Sequence, residues 1–180
     1  MTGRAPIRRL LAFVVDYLVM AIWLALLTAA AFATGAPDRL SLDTPGGRII
    51  AHLTMFATVT APIILGFAIM EASPLRGTPG KRVLGLKVVR ADGERAGFLR
   101  TLIRNGLKFL PWEAAHIAIW YAPGQPFVDR PAAWNVAVWI GALIVALLYA
   151  TTLFLGAGRT PYDHAAGVTV RRVSDQIAPD

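Results

Sequence analysis

The chain has 180 residues, of which 56% are hydrophobic and 16% charged, with a net charge of +7. Soluble domains average about 45–50% apolar and about 25% charged residues, so the chain is too apolar for disorder and too poor in charge for an ordinary soluble surface; its mean hydropathy of +0.54 agrees. The lack of cysteine excludes disulfides, thiolate metal centres and thiol catalysis, and three histidines, His52, His116 and His164, are too few for a histidine-rich metal site.

An apolar run starts at Leu10, is interrupted only by Asp16, and is uncharged from Tyr17 to Ala36. A helix crosses a hydrocarbon core of about 30 Å in about 20 residues, which predicts a first span over 10–36. Arg4, Arg8 and Arg9 precede it, and Ala31-Phe32-Ala33 resembles a cleavage tail. The apolar stretch is nevertheless about twice the length of a signal-peptide core and contains an acid, so it is expected to remain as a span. A second uncharged stretch predicts a span over 49–70.

Residues 71–108 form a basic loop with nine cations against three acids, a balance of +6. Positive excess marks the cytoplasmic side, so the N-terminus and this loop are expected there, with the first two spans as a hairpin. Within the loop, Gly77-Thr78-Pro79-Gly80-Lys81 has turn chemistry but lacks the spacing of a phosphate-binding P-loop. Val83–Val89 is rich in β-branched residues and predicts a strand. Gly85-Leu-Lys-Val-Val-Arg90 is echoed by Gly167-Val-Thr-Val-Arg-Arg172. Neither is stable alone in water, which predicts that they pair as a small cytoplasmic ladder.

Arg100, Arg104 and Lys108 recur every four residues, so Phe98–Lys108 reads as an interfacial amphipathic helix with its cations on one face. It leads into a less apolar crossing or re-entrant segment over 103–122, which contains Pro111, Glu113 and His116. The neutral connector Pro123–Pro131 fits an outer turn, the next span is predicted over 132–157, and Arg159, Arg171 and Arg172 fit a cytoplasmic tail. Trp112, Trp120 and Trp134 flank these segments as expected of interfacial anchors. The expected fold is an all-α polytopic membrane protein, one domain over 1–180. It has about four transmembrane or re-entrant helices, the amphipathic helix and a small cytoplasmic β element. It is placed in the plasma membrane with both termini cytoplasmic.

Asp16 is the sharpest candidate residue, because a charge at the centre of a membrane helix costs about 2.5–3.5 kcal/mol on insertion scales and usually faces a partner or a wet cavity. Arg9 shares its helical face, while Arg104 and Arg159 are candidate partners from other segments. Asp16 either fixes helix packing or handles an ion or proton. Asp163 follows Thr160-Pro161; Asp163 or Thr160 is expected to cap a short helix beginning near Asp163, or Asp163 to pack against Lys81 or Arg82. His52, His116 and Glu113 are dispersed and make no metal-ligand set. No catalytic triad or metalloprotease motif is present, so neither enzymatic activity nor a cofactor is expected. The expected partners are the bilayer with its anionic headgroups, and a second copy or another membrane protein, not nucleic acid.

Four segments in order carry a family resemblance: Arg9-Leu-Leu-Ala-Phe-Val-Val-Asp16; Glu71 with Gly77-Thr78-Pro79-Gly80-Lys81 and the following Gly-Leu-Lys-Val-Val run; Arg104-Asn105; and Pro161-Tyr-Asp163-His-Ala-Ala-Gly-Val-Thr-Val170. Together they resemble the RDD family of small bacterial membrane proteins. The Arg and two Asp that name the family would be Arg9, Asp16 and Asp163. Two departures are His164, where the family usually has Arg or Lys, and the long stretch Trp112–Arg130. The resemblance implies a link to transport, in some members to sodium/proton antiport. Many members have no assigned function, and a family by itself does not fix one.

Overall fold

The computed structural model of the chain describes residues 5–124 and 128–174, apart from the side chain of Asp38. The predictions that touch Arg4, Pro126 and the tail from 175 onward lie outside the described residues. Helix α1 runs Pro6–Ala33. A short 3-10 turn, Pro37–Arg39, leads to α2, Pro45–Met55. Thr44 caps α2 by accepting from the Gly47 amide at 3.0 Å, and Pro45 supplies a pre-set φ at its first turn. A π-helical turn, Phe56–Thr60, joins α2 to α3, Ala61–Ala72, so that Pro45–Ala72 is one helical rod. Helix α4, Pro79–Val83, precedes strand β1, Leu86–Arg90. Helix α5 runs Phe98–Trp120, α6 Ala133–Thr152, α7 Pro161–Ala165, and strand β2 Val168–Arg172 closes the order.

Among the described residues three helices are long and apolar enough to cross a membrane: Pro6–Ala33, Pro45–Ala72 and Ala133–Thr152. Their large apolar side chains point outward rather than into a core. Leu18, Ile22 and Leu26 on α1, and Ile140, Leu143, Ile144 and Leu147 on α6, are all exposed. A helix exposing leucine and isoleucine all along its length is built for a lipid solvent, where no hydrophobic penalty attaches to them.

The predicted ladder is present. β1 and β2 pair antiparallel, with Leu86 opposite Arg172, Val88 opposite Val170 and Arg90 opposite Val168. The strand starts at Leu86 rather than Val83, because Pro79 opens α4 and Gly85 turns the chain at a φ of 65°. That left-handed conformation favours glycine. Beneath the ladder Val88, Ala96, Ala166 and Val168 form a small apolar core.

The interfacial amphipathic helix expected over 98–108 differs from the observed one. Phe98–Trp120 is a single helix, and its polar face is turned inward: Thr101, Arg104 and Asn105 are buried while Phe98, Leu99, Ile103 and Leu110 are exposed. A cation stripe with leucines opposite it satisfies either arrangement; the buried acids described below decide for the inward one.

The chain divides into two compact units. The first comprises Met1–Met20, Ile63–Lys108 and Leu147–Asp180; the second comprises Ala21–Pro62 and Phe109–Ala146. In the second unit Pro62 has no N–H to give the carbonyl four residues back. That carbonyl, on Thr58, accepts the Trp23 indole N–H at 3.2 Å instead. Arg48 binds the carbonyls that end α5, donating to Trp120 at 3.2 Å, to Gly124 at 2.5 Å and to Ala122. The Trp120 carbonyl is an orphan acceptor of the helix C-terminus, where a cation also meets the helix dipole, and the other two belong to the turn that follows. Asn135 Nδ2 donates to the Ala118 carbonyl at 2.7 Å and Trp139 to that of Ala115 at 3.2 Å, fastening α6 to α5.

Candidate functional site

The first unit contains a chain of alternating charges. Asp16 lies on α1, fully buried. Its Oδ2 accepts the Thr78 hydroxyl at 2.6 Å and its Oδ1 accepts the Gly80 amide at 2.8 Å. Lys81 Nζ stands 4.0 Å from Asp16 and 2.9 Å from Glu71 Oε1. Glu71, at the end of α3, also accepts from Arg104 Nη1 at 2.7 Å and from Asn105 Nδ2 at 2.9 Å. Arg104 passes on to Asp163, its Nε donating to Oδ1 at 2.8 Å. Asp163 Oδ2 then takes Arg9 Nη2 at 2.5 Å. The order is Asp16, Lys81, Glu71, Arg104, Asp163, Arg9: three acids and three cations from five helices, all buried or nearly so.

Local sequence explains how each group is held. Pro79 starts α4, and the side chain of Thr78 does not cap it. The Thr78 hydroxyl is committed to Asp16, and Asp16 satisfies the Gly80 amide from α1, so a carboxylate 64 residues away does the capping. Gly77 is buried, and a Cβ there would lie 3.1 Å from the Leu86 carbonyl and from Lys81 Cβ. Around Asp163 the predicted capping role holds in a fuller form. Thr160 is the N-cap of α7, and the pair makes a capping box: Asp163 N donates to Thr160 Oγ1 at 3.3 Å and Thr160 N to Asp163 Oδ2 at 3.2 Å. Arg104 also stacks over Tyr162 at 5.3 Å, and Tyr162 meets Tyr149 edge-on.

Burial alone would raise the Asp163 carboxyl, but the guanidinium groups of Arg104 and Arg9, with the Arg9 and Thr160 hydrogen bonds, outweigh it. They hold Asp163 well below the usual carboxylate range. Lys108 reaches the same region, its Nζ 4.9 Å from the centre of the Phe13 ring and 5.2 Å from that of Phe67. Asn105 Oδ1 is buried with no hydrogen-bond partner among the described residues.

The expected pairings of Asp16 and Asp163 are corrected. Arg9 does not face Asp16; it reaches Asp163 and the Gly158 carbonyl. Seven residues along a helix put the two on one face but about 10 Å apart, and each finds a nearer partner in another segment. Arg104 and Arg159 do not pair with Asp16 either. Arg104 bridges Glu71 and Asp163, and Arg159 donates to the Val168 and Asp163 carbonyls at 3.1 and 3.4 Å. Asp163 does not meet Lys81 or Arg82, because Lys81 is held by Glu71 and Thr78 and Arg82 is exposed. Arg104, a candidate partner of Asp16, and its neighbour Asn105, noted only as part of a motif, turn out to be the hub on which Glu71 sits.

The second unit joins two residues that the sequence reading left apart. His52 Nε2 lies 2.8 Å from Glu113 Oε1, and the Thr60 hydroxyl donates to Glu113 Oε2 at 3.1 Å. Their 61-residue separation carries no local pattern that would reveal the pair. No group of three or more metal-ligating side chains occurs among the described residues.

A model of the RDD family matches residues 4–167, nearly the whole chain. No curated protein and no solved structure matches it.

Proposed function

Because the chain belongs to the RDD family, we propose that it is a non-enzymatic, multi-pass module of the plasma membrane that presents a charge-locked basic lobe to anionic lipid or to a partner membrane protein. The observation that carries this reading is the six-residue charge chain. It is neutral as a set, it ties α1, α3, α4, α5 and α7 together, and each carboxylate oxygen in it has a donor. A satisfied buried network fixes one arrangement of the elements it joins. Around it the lobe leaves Arg82, Arg90, Arg95 and Arg100 exposed, next to exposed Leu75, Val83 and Leu99. Cations beside apolar side chains suit a headgroup surface, each near-surface cation contributing about 1 kcal/mol.

The strand pairing supports four crossings. β1 and β2 lie in one ladder, so the chain between Arg90 and Val168 must cross the bilayer an even number of times. The Ala133–Thr152 helix is apolar enough to cross once. In this reading α5, about 34 Å long at 1.5 Å per residue, supplies the other crossing, and both termini fall on the cytoplasmic side with residues 71–108.

A second reading, ion- or proton-coupled transport, is favoured by one geometry. Lys81 stands between Glu71 and Asp16, closer to the first. A proton or cation taken up by one carboxylate would release the ammonium to the other. Ion flux in proteoliposomes, wild type beside Asp16→Asn, separates the two readings. The locked-module reading expects no flux from the wild type and poor folded yield for the variant. A wild-type flux abolished in a normally folded variant replaces it with the transport reading.

A further inference from the structure

We propose that His52 and Glu113 form a proton-binding site in the second unit, the His52 imidazole taking up one proton on one ring nitrogen while the other stays hydrogen-bonded to the Glu113 carboxylate. His52 and Glu113 are both largely buried, their side chains 12% and 17% exposed. Glu113 Oε2 accepts the Thr60 hydroxyl, and Oε1 faces His52 Nε2 at 2.8 Å. With the carboxylate ionised and accepting on both oxygens, Nε2 must carry the hydrogen of that bond. The lone pair of the neutral ring is then on Nδ1, which lies 3.4 Å from the Tyr121 hydroxyl, with the two rings edge-on at 5.6 Å. A hydroxyl both donates and accepts. Tyr121 therefore donates to Nδ1 when the ring is neutral and accepts from Nδ1–H when it is protonated, by rotation of one hydrogen.

The balance of the step is simple. Without the added proton the pair carries one negative charge. A solvent hydronium gives its proton to Nδ1 and leaves as water, the Nε2–H bond to Glu113 is kept, and the pair becomes a neutral imidazolium–carboxylate set. The added proton turns a pair carrying a single charge into an ion pair joined by the existing Nε2–H bond to Glu113. Few other groups bear on it. Along the helices of this unit the remaining titratable or charged side chains are Arg48, His116 and Tyr121. Arg48 is engaged by the carbonyls after α5, and His116 Nδ1 faces the Trp112 carbonyl at 3.0 Å. The α1 segment Ala21–Ala33 and the α6 segment Ala133–Ala146 carry none. Arg39, Asp43, Asp129 and Arg130 lie in the connections, with Asp38. Thr60 ends the π-helical turn, a feature frequent at functional sites, so the carboxylate that partners the imidazole also holds that turn.

The test is titration of the full-length protein in nanodiscs with ¹⁵N-labelled histidine, from about pH 8 to about pH 5, His52 being assigned by its loss in His52→Gln. The expected result is uptake of one proton on the His52 ring, with proton affinity roughly 10-fold or more lower in Glu113→Gln, as expected when an opposite charge in contact is removed. His116→Gln should leave the His52 titration in place. The wild-type arm needs no variant to fold. A His52 ring that stays neutral throughout, or one whose titration is unmoved in a folded Glu113→Gln protein, overturns the proposal. These readouts do not depend on transport or on the role of the first unit.

Discussion

The Gly80 amide donates to Asp16 Oδ1 at 2.8 Å, and a Cβ on Gly80 would stand 2.0 Å from the Ala12 carbonyl oxygen. The start of α4 is thus pressed onto the backbone of α1, and only glycine lets it come so close. The buried carboxylate on α1 both fills the cap of α4 and excuses Thr78 from that task.

Gly80→Ala should therefore be strongly destabilising. The atom in the way is backbone, which cannot swing aside, and overpacking of this kind costs about 1–3 kcal/mol or more. Gly66→Ala is the matched control, since a Cβ there meets nothing within 4 Å. Thermal unfolding in detergent should show a large fall in Tm for the first and little change for the second. Equal Tm values would mean that α4 does not sit against α1.

Asp16→Asn should lower folded yield, because one of its two acceptors becomes a donor facing Thr78 or Gly80, and Lys81 loses a counter-charge. Breaking a buried charge pair typically costs about 3–5 kcal/mol. Partial rescue is expected when Lys81→Met is added, with a coupling of about 0.5–3 kcal/mol. Arg9→Met should give no rescue, since Arg9 belongs to Asp163. Rescue by Arg9→Met alone would restore the pairing that helical spacing suggested.

Stability should fall in acid through Asp163. Its folded-state affinity for a proton is lowered by Arg104 and Arg9. The stabilisation is therefore complete above the unfolded carboxyl value of about 3.9 and is lost as pH drops below it. In Asp163→Asn, Tm should be lower at neutral pH and should change less between about pH 5 and about pH 3. An unchanged acid slope would remove Asp163 as a contributor.

Topology can be read with single cysteines in this cysteine-free chain. In intact cells Asp43→Cys should be labelled by an impermeant reagent and Asp92→Cys should be labelled only after permeabilisation, as the positive excess of residues 71–108 requires. External labelling at 92 would invert the orientation.

The sequence alone determined the solvent of this protein. Runs of about 20 apolar residues have few other uses, and loop 71–108 carries +6 of the net charge of +7. The ladder was also legible, because two strands of equal length and pattern need each other to satisfy their backbones. The four polar segments contain all six members of the charge chain, and a cap at Thr160 or Asp163 followed from Thr160-Pro161. Which charge meets which was left to the tertiary structure. Helical periodicity places Arg9 and Asp16 on one face, yet a charge–charge contact depends on separations of a few ångströms. Those separations are set by where α4, α5 and α7 dock on α1. The same reason hid His52 from Glu113, and it turned Arg104 of α5 inward while Arg100 stayed exposed: a stripe of cations specifies a face, and only the buried Glu71 and Asp163 decide which of them is drawn in.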